Sequence, residues 1–215
     1  MVRVKICCIR SVEEAVLALR YGAHALGFVS AMPSGPGILA EEEIMKILSV
    51  LPPGFSAFLL TSETGEESIG RQLDRIAPNA VQLVMPVEQQ TYDILRTKYP
   101  FVKIVQVIHV ENEQSVEFAI KVSGQVDAIL LDSRIKAGGI TVFGGTGHIH
   151  DWILSRKIVQ KVTVPVFLAG GLNPGNLQQA IESVNPFAVD VCTGVRTNGR
   201  LDENKLAAFM KIALL

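Results

Sequence analysis

The chain has 215 residues, of which 48% are apolar and 19% charged, with 20 basic side chains against 21 acidic ones. That length holds one sizeable core or at most two small domains, and the near-zero net charge gives no footprint for nucleic acid or an anionic membrane. No apolar run reaches the roughly 20 residues needed to cross a bilayer, and Cys7, Cys8 and Cys192 suggest neither a disulfide framework nor metal-ligand spacing with the four histidines.

MVRVKICC enters a strand-like segment at once, without a secretory hydrophobic region, which describes a soluble cytoplasmic protein. The first strand candidate is 3–7 (RVKIC), followed by helical periodicity over 12–21. Ser11 and Glu14 have capping-box spacing there. Strand 2 is expected at 24–29 and leads into SAMPSGPGI, an uncharged loop shaped by prolines and glycines. A helix over 40–51 and a strand at 55–61 follow, and Thr64 with Glu67 repeats the capping-box spacing. Further strands are expected at 80–84, 103–108, 127–131, 164–169 and 187–192, with a helix over 113–122. Asn173-Pro174 fits an N-cap followed by proline at the first helical position, and Asp202 can cap the last helix. Most strands are near-continuous apolar runs, which suits parallel strands buried on both faces.

Eight strand–helix units in this length predict a single-domain (β/α)8 TIM barrel over residues 1–215. An open doubly wound sheet is the competing arrangement. In such a barrel the site lies at the carboxyl ends of the strands, so polar groups just after a strand are the candidates.

Cys7 and Cys8 end strand 1. Alternation along a strand turns one into the barrel and the other toward the helix layer. Both also suit a reading as small buried hydrophobes. Asp132 follows strand 6 directly, an acid/base candidate that would serve equally well as a turn cap. The glycine-rich connection after it contains Gly144, Gly145 and Gly147. Gly170 and Gly171 end strand 7, and Gly194 follows strand 8. Backbone N–H groups after strands 7 and 8 are a common phosphate site in barrels. Arg10, Arg134, His109, His148 and Arg196 also follow strands, and each alone reads more readily as a solvated loop residue. His24 and His150 have no placement that favours chemistry.

Taken in order, KICCIR, GFV, VQL, LLDS, GGTG with HDW, AGGLNPGN and VDVCTGVR resemble the phosphoribosylanthranilate isomerase family across essentially the whole chain. The resemblance implies a (β/α)8 enzyme of tryptophan biosynthesis that performs an Amadori rearrangement of a phosphoribosyl amine. It implies no cofactor and no metal, a small phosphosugar substrate, and a monomer or homodimer with no nucleic-acid or membrane partner. The family's base, the cysteine of KICG, matches Cys7. Its acid, the aspartate of LLDS, matches Asp132. Phosphate then falls to Gly145, Gly147, Gly170, Gly171 and Gly194.

Three positions depart from the family pattern. Cys8 stands where the family has glycine, and Cys8 is expected to pack against the helix layer. SGPGI replaces SPRYV, which removes the arginine that anchors the anthranilate carboxylate. QLVM replaces QLHG, so Val84 and Met85 make that rim apolar. A substitute cation is expected from Arg10 first and Arg134 second. The departures leave two other functions in play: an isomerase of a different phosphorylated sugar derivative, and a non-catalytic barrel that binds a phosphorylated ligand.

Overall fold

The computed structural model describes residues 1–137, 140–143 and 150–214, the side chains of 134–137 and 140–143 excepted. Eight parallel strands close into a barrel: β1 (Arg3–Ile6), β2 (Ala25–Val29), β3 (Ser56–Thr61), β4 (Ala80–Leu83), β5 (Lys103–His109), β6 (Ala128–Asp132), β7 (Val166–Leu168) and β8 (Ala188–Val191). Each pairs with its sequence neighbours, and β8 pairs with β1 to complete the ring. The open-sheet alternative is thereby excluded. Eight helices follow the strands among the described residues: α1 (Val12–Arg20), α2 (Glu41–Ser49), α3 (Glu66–Ile76), α4 (Gln89–Lys98), α5 (Glu113–Ser123), α6 (Trp152–Lys161), α7 (Leu177–Val184) and α8 (Glu203–Ala213). No helix among the described residues is long and apolar enough to cross a membrane.

Two cores explain the apolar runs. Outward residues such as Val4, Ile6, Leu26, Leu59, Ile129 and Leu168 pack under the helices. The alternate residues, among them Ala25, Phe58, Leu60, Val105, Leu130 and Phe167, fill the barrel. A strand buried on both faces has no polar side, so the run reads as continuously apolar. The same two-residue period points Lys5, Cys7, Asp132 and Asp190 inward, toward the mouth.

The caps sort by local geometry. The Ser11 hydroxyl accepts from the Glu14 N–H at 3.3 Å, and Asp202 accepts from the N–H groups of Asn204 and Lys205. The reciprocal arm of the first capping box is missing, because the Glu14 carboxylate is engaged elsewhere. The Thr64 spacing misses by one residue, since Gly65 is the N-cap of α3 and no side chain caps it. Asn173 caps a turn rather than the helix: it accepts from Gly175 N–H at 2.8 Å, and α7 starts only at Leu177. Pro174 therefore lies in that turn. After β6 the connection forms an antiparallel hairpin, Arg134–Ala137 with Ile140–Phe143, which was not expected from its composition.

Candidate active site

Cys7 continues the β1 ladder, donating its N–H to the Val191 carbonyl at 2.9 Å. Its side chain consequently keeps the inward phase. The next residue breaks that phase. Cys8 has φ 61°, in the left-handed region, and Ile9 N–H then bonds the Gly27 carbonyl of β2. This overturns the expectation that Cys8 packs against the helix layer. It lies with Cys7 in the cluster that fills the barrel and lines the mouth beside Cys192. Alternation fails because it requires a strand, and the backbone stops being one at Cys8. A non-glycine residue in this conformation costs roughly 1–2 kcal/mol, which accounts physically for the glycine of KICG.

Lys5 lies beneath Cys7, fully buried. Its Nζ is 2.9 Å from Asp190 Oδ1 and 3.4 Å from Cys7 Sγ. Asp190 is its register partner across the β1–β8 seam. Gly27 of β2 makes room for the group, since a Cβ there would sit 2.9 Å from Cys7 Sγ and 3.1 Å from Lys5 Nζ. Burial alone would push the Lys5 ammonium down. The Asp190 carboxylate and the Cys7 sulfur outweigh it and hold Lys5 above the ordinary lysine range. The Cys7 thiol is lowered, first by its hydrogen bond with Cys8 and then, against burial and the Asp190 charge, by Lys5. Cys8 is pushed well above the usual thiol value by its hydrogen bonds with Cys192 and Cys7 and by burial.

Asp132 ends β6. Burial raises its carboxyl to about 7, with the Asp190 charge adding to the shift. The Ser133 N–H, 2.7 Å from Oδ1, and the more distant Lys5 oppose the rise without cancelling it. Cys7, Asp132 and Asp190 share one pocket with about 690 Å³ of open space at the barrel mouth. The rest of its wall is largely apolar on the β2–β4 side, with Val29, Met32, Pro36, Leu60 and Val84. Gln82 lines it too, and its Oε1 is buried without a hydrogen-bond partner among the described residues.

Gly170 and Gly171 form the wall after β7 with φ 82° and 65°, backbone that favours glycine. Gly194 lies just behind the wall, next to Thr193, and a Cβ on it would collide with the Leu172 carbonyl. The β7 and β8 loops therefore meet through a glycine. His150 is buried beside Gly170, held by Ser155 at 2.7 Å and lowered to about 4 by burial, so it is neutral near pH 7.

The expected cations separate. Arg10 is exposed and lies outside the main pocket, in an adjoining groove that shares Cys8, Gly35, Pro36 and Thr193 with it. Among the described residues its guanidinium makes no hydrogen bond or ion pair. Arg134 belongs to the hairpin by its backbone, and its side chain lies outside the described residues, as do Gly145 and Gly147 entirely. Arg196, expected to be a solvated loop residue, is buried and holds the Cys7 and Cys8 carbonyls at 3.3 and 2.6 Å while pairing with Glu14 at 2.8 Å. It fixes the backbone that carries the two thiols. Sequence reasoning also passed over Lys5 and Asp190. Their signal was available, namely a charge inside each of two strands, Lys5 in RVKI and Asp190 in AVDV, that closure must place side by side.

Comparison with known proteins gives the family. The family model described as N-(5'phosphoribosyl)anthranilate (PRA) isomerase matches residues 4–212. An N-(5'-phosphoribosyl)anthranilate isomerase of Methanocella arvoryzae is 35% identical over 96% of this chain and 94% of its own length. Another, from Methanosarcina acetivorans, is 34% identical over 97% and 92%. The crystal structure of phosphoribosyl anthranilate isomerase from Thermotoga maritima is 31% identical and superposes with a TM-score of 0.83 over 100% of this chain and 99% of its own. A phosphoribosyl anthranilate isomerase in complex with reduced 1-(o-carboxyphenylamino)-1-deoxyribulose 5-phosphate is 30% identical, with the same TM-score and the same coverage. With a family model spanning all but the chain's ends and relatives above 30% identity along its length, this chain belongs to the N-(5'-phosphoribosyl)anthranilate isomerase family.

Proposed function

We propose that the chain isomerises N-(5'-phosphoribosyl)anthranilate to the corresponding amino-ketose phosphate, in the cytoplasm, as a step of tryptophan biosynthesis. The observation that carries this reading is the meeting in one pocket of a carboxyl raised to about 7, at the end of β6, and a thiol lowered from its ordinary value, just after β1. A ring-opening isomerisation needs those two groups: an acid still protonated near neutrality and a base able to give up its own proton.

Asp132 protonates the furanose ring oxygen. The C1–O bond breaks as the amine nitrogen's lone pair forms an iminium. The Cys7 thiolate then removes the C2 proton, and the electrons of that C–H bond neutralise the iminium as an enamine, which tautomerises to the ketose. Lys5 offsets the charge on the thiolate. Asp190 keeps Lys5 protonated and in place. Gln82 Oε1, a buried acceptor facing the pocket, suits a sugar hydroxyl or the amine N–H, because an unpaired buried acceptor costs free energy that a donor on the substrate recovers. The phosphate is assigned to the backbone of Gly170 and Gly171 and the neighbouring Thr193–Gly194 turn, with Gly145 and Gly147 joining from the β6 connection. The anthranilate carboxylate is assigned to Arg10 in the adjoining groove.

The apolar β2–β4 wall favours one second reading, an isomerase acting on a phosphoribosyl amine with a different, less charged substituent. One assay separates the two. Purified protein is given freshly formed phosphoribosyl anthranilate and the fluorescence of the anthranilate moiety is followed. Conversion with kcat above 0.1 s⁻¹, within about tenfold of the lower end of ordinary enzyme turnover, supports the first reading. No conversion by protein with both Cys7 and Asp132 intact overturns it and leaves the second.

A further inference from the structure

All three cysteines of the chain converge on the same pocket wall. Two come from the end of β1 and one from the end of β8, 184 residues apart between Cys8 and Cys192. Cys8 adjoins Cys7 in sequence, and Cys192 packs against the same barrel-filling cluster and lines the pocket with both. Its backbone is in a left-handed conformation that disfavours any residue with a Cβ, so backbone geometry does not explain a cysteine there. Gly37 of the β2 loop closes over it, since a Cβ at 37 would lie 2.7 Å from Cys8 Cβ. Arg196 clamps the carbonyls of Cys7 and Cys8 and stands four residues after Cys192, so both thiol-bearing loops are tied to one guanidinium. Cys192 is the partly exposed member and the point of entry for a small reagent.

We propose that Cys8 and Cys192 form a reversible disulfide that switches off the Cys7 base, with a peroxide as the oxidant. The Cys192 sulfur attacks the peroxide oxygen and becomes a sulfenic acid as one water leaves. The Cys8 sulfur then displaces the sulfenic hydroxyl, which departs with the Cys8 proton as a second water. Two thiols and one hydrogen peroxide yield one disulfide and two waters. The protein loses two electrons and two hydrogens. A Cys7–Cys8 bond is the disfavoured alternative, because adjacent cysteines close an eight-membered ring around a peptide bond that resists twisting. The consequence for Cys7 is direct. Its lowered thiol depends first on the hydrogen bond with Cys8, and a disulfide has no S–H to donate. A dithiol reverses the step by exchange and leaves as its own cyclic disulfide.

The effect on turnover rests on the proposed isomerase reading, whereas the bond itself does not. The test treats the reduced protein with hydrogen peroxide, alkylates the remaining thiols and maps tryptic peptides by mass. The expected product is lighter by two hydrogens and links the peptide 6–10 to the peptide 162–196, with the alkyl group found on Cys7. Turnover should fall by about tenfold or more and return with dithiothreitol. Cys192→Ser cannot close the bond and should keep its own untreated activity after the same treatment. A Cys7–Cys8 link, no linked peptide, or a linked protein of full activity each overturns the proposal. An untreated protein that turns over no phosphoribosyl anthranilate would count against the isomerase reading, and the peptide map would still decide the disulfide.

Discussion

The two halves of the barrel mouth are built from opposite materials. The wall of β8, β1 and β6 carries Asp190, Lys5, Cys7 and Asp132, four ionisable groups of which the first three are buried and Asp132 is half-buried. The wall of β2, β3 and β4 carries Val29, Met32, Pro36, Leu60 and Val84. The first half changes protonation states by holding charges close together in a place where each is costly alone. The second half has nothing to titrate and, apart from the buried Gln82 amide, meets a ligand through shape and apolar contact. Proton transfer and recognition of the amine substituent are thus separated in space. Changes to one wall should alter kcat, and changes to the other should alter KM.

The largest test of that separation is removal of the acid or the base. Cys7→Ala and Asp132→Asn should each lower kcat by about 10²–10⁴-fold, with substrate affinity measured by fluorescence titration changing little. An equal loss of affinity would mean that the charged wall also does the binding.

Next in size is Lys5→Met. It leaves Asp190 buried without its partner and should destabilise the fold by about 3–5 kcal/mol, read as a shift in the urea midpoint. Adding Asp190→Asn should recover much of that stability, since the stranded charge is gone. The double variant separates folding from chemistry. Its Cys7 should still alkylate with iodoacetamide several-fold more slowly than in the unmodified protein at pH 7, because the cation 3.4 Å from the sulfur is missing. Unchanged alkylation would remove Lys5 from the account of the base.

Much of this molecule was legible from the chain, and the illegible parts share a cause. The strands showed because burial on both faces leaves continuous apolar runs: 127–131 became Ala128–Asp132, and 80–84 became Ala80–Leu83. Cys7 and Asp132, the proposed base and acid, stood out by family motif and strand-end position, and both line one pocket. Lys5 with Asp190 and Arg196 with Glu14 did not show. Each pair joins the two ends of the chain and exists only when β8 meets β1. Glu14 was read as half of a local capping box because its true partner is 182 residues away. Cys8 was turned the wrong way by one left-handed residue that no periodicity announces. The hairpin of Arg134–Ala137 with Ile140–Phe143 was missed because the whole connection after β6 was taken as one glycine-rich loop.

A smaller effect comes from the cost of keeping Asp132 ready to donate. Its folded carboxyl titrates near 7 and its unfolded one near 3.8, so ionising it opposes folding. The raised value means that its contribution is harmless below about pH 4, grows unfavourable between about 4 and 7, and levels off above. Asp132→Asn should therefore be more stable than the unmodified protein by about 1–3 kcal/mol at pH 8. The difference should vanish toward pH 4. A difference that does not depend on pH would place the origin of the effect in packing.

The smallest expected effect falls on the recognition side and concerns Arg10. The β2 loop has Pro36 and Gly37 where the family pattern has an arginine and a tyrosine, and no cation lines the main pocket on that wall. The adjoining groove does hold one. Arg10 rims it together with Gly35, Pro36 and Gly37, and the two spaces meet at Cys8 and Thr193. On the proposed reading, the carboxylate on the substrate's aromatic ring enters that groove while the sugar lies in the main pocket with Cys7 and Asp132. A charge-assisted hydrogen bond of this kind contributes about 1.5–3 kcal/mol, and exposure of the arginine places it near the lower end. Arg10→Ala should then raise KM for phosphoribosyl anthranilate by about tenfold, with kcat and inorganic phosphate affinity unchanged. The arginine is exposed and bonds no other side chain among the described residues, so its loss should not disturb folding. Arg10→Lys should recover part of the affinity, since a point charge replaces a fork that binds both carboxylate oxygens. If KM is unmoved in both variants, the substituent does not reach the groove, and the apolar wall around Val84 recognises it alone.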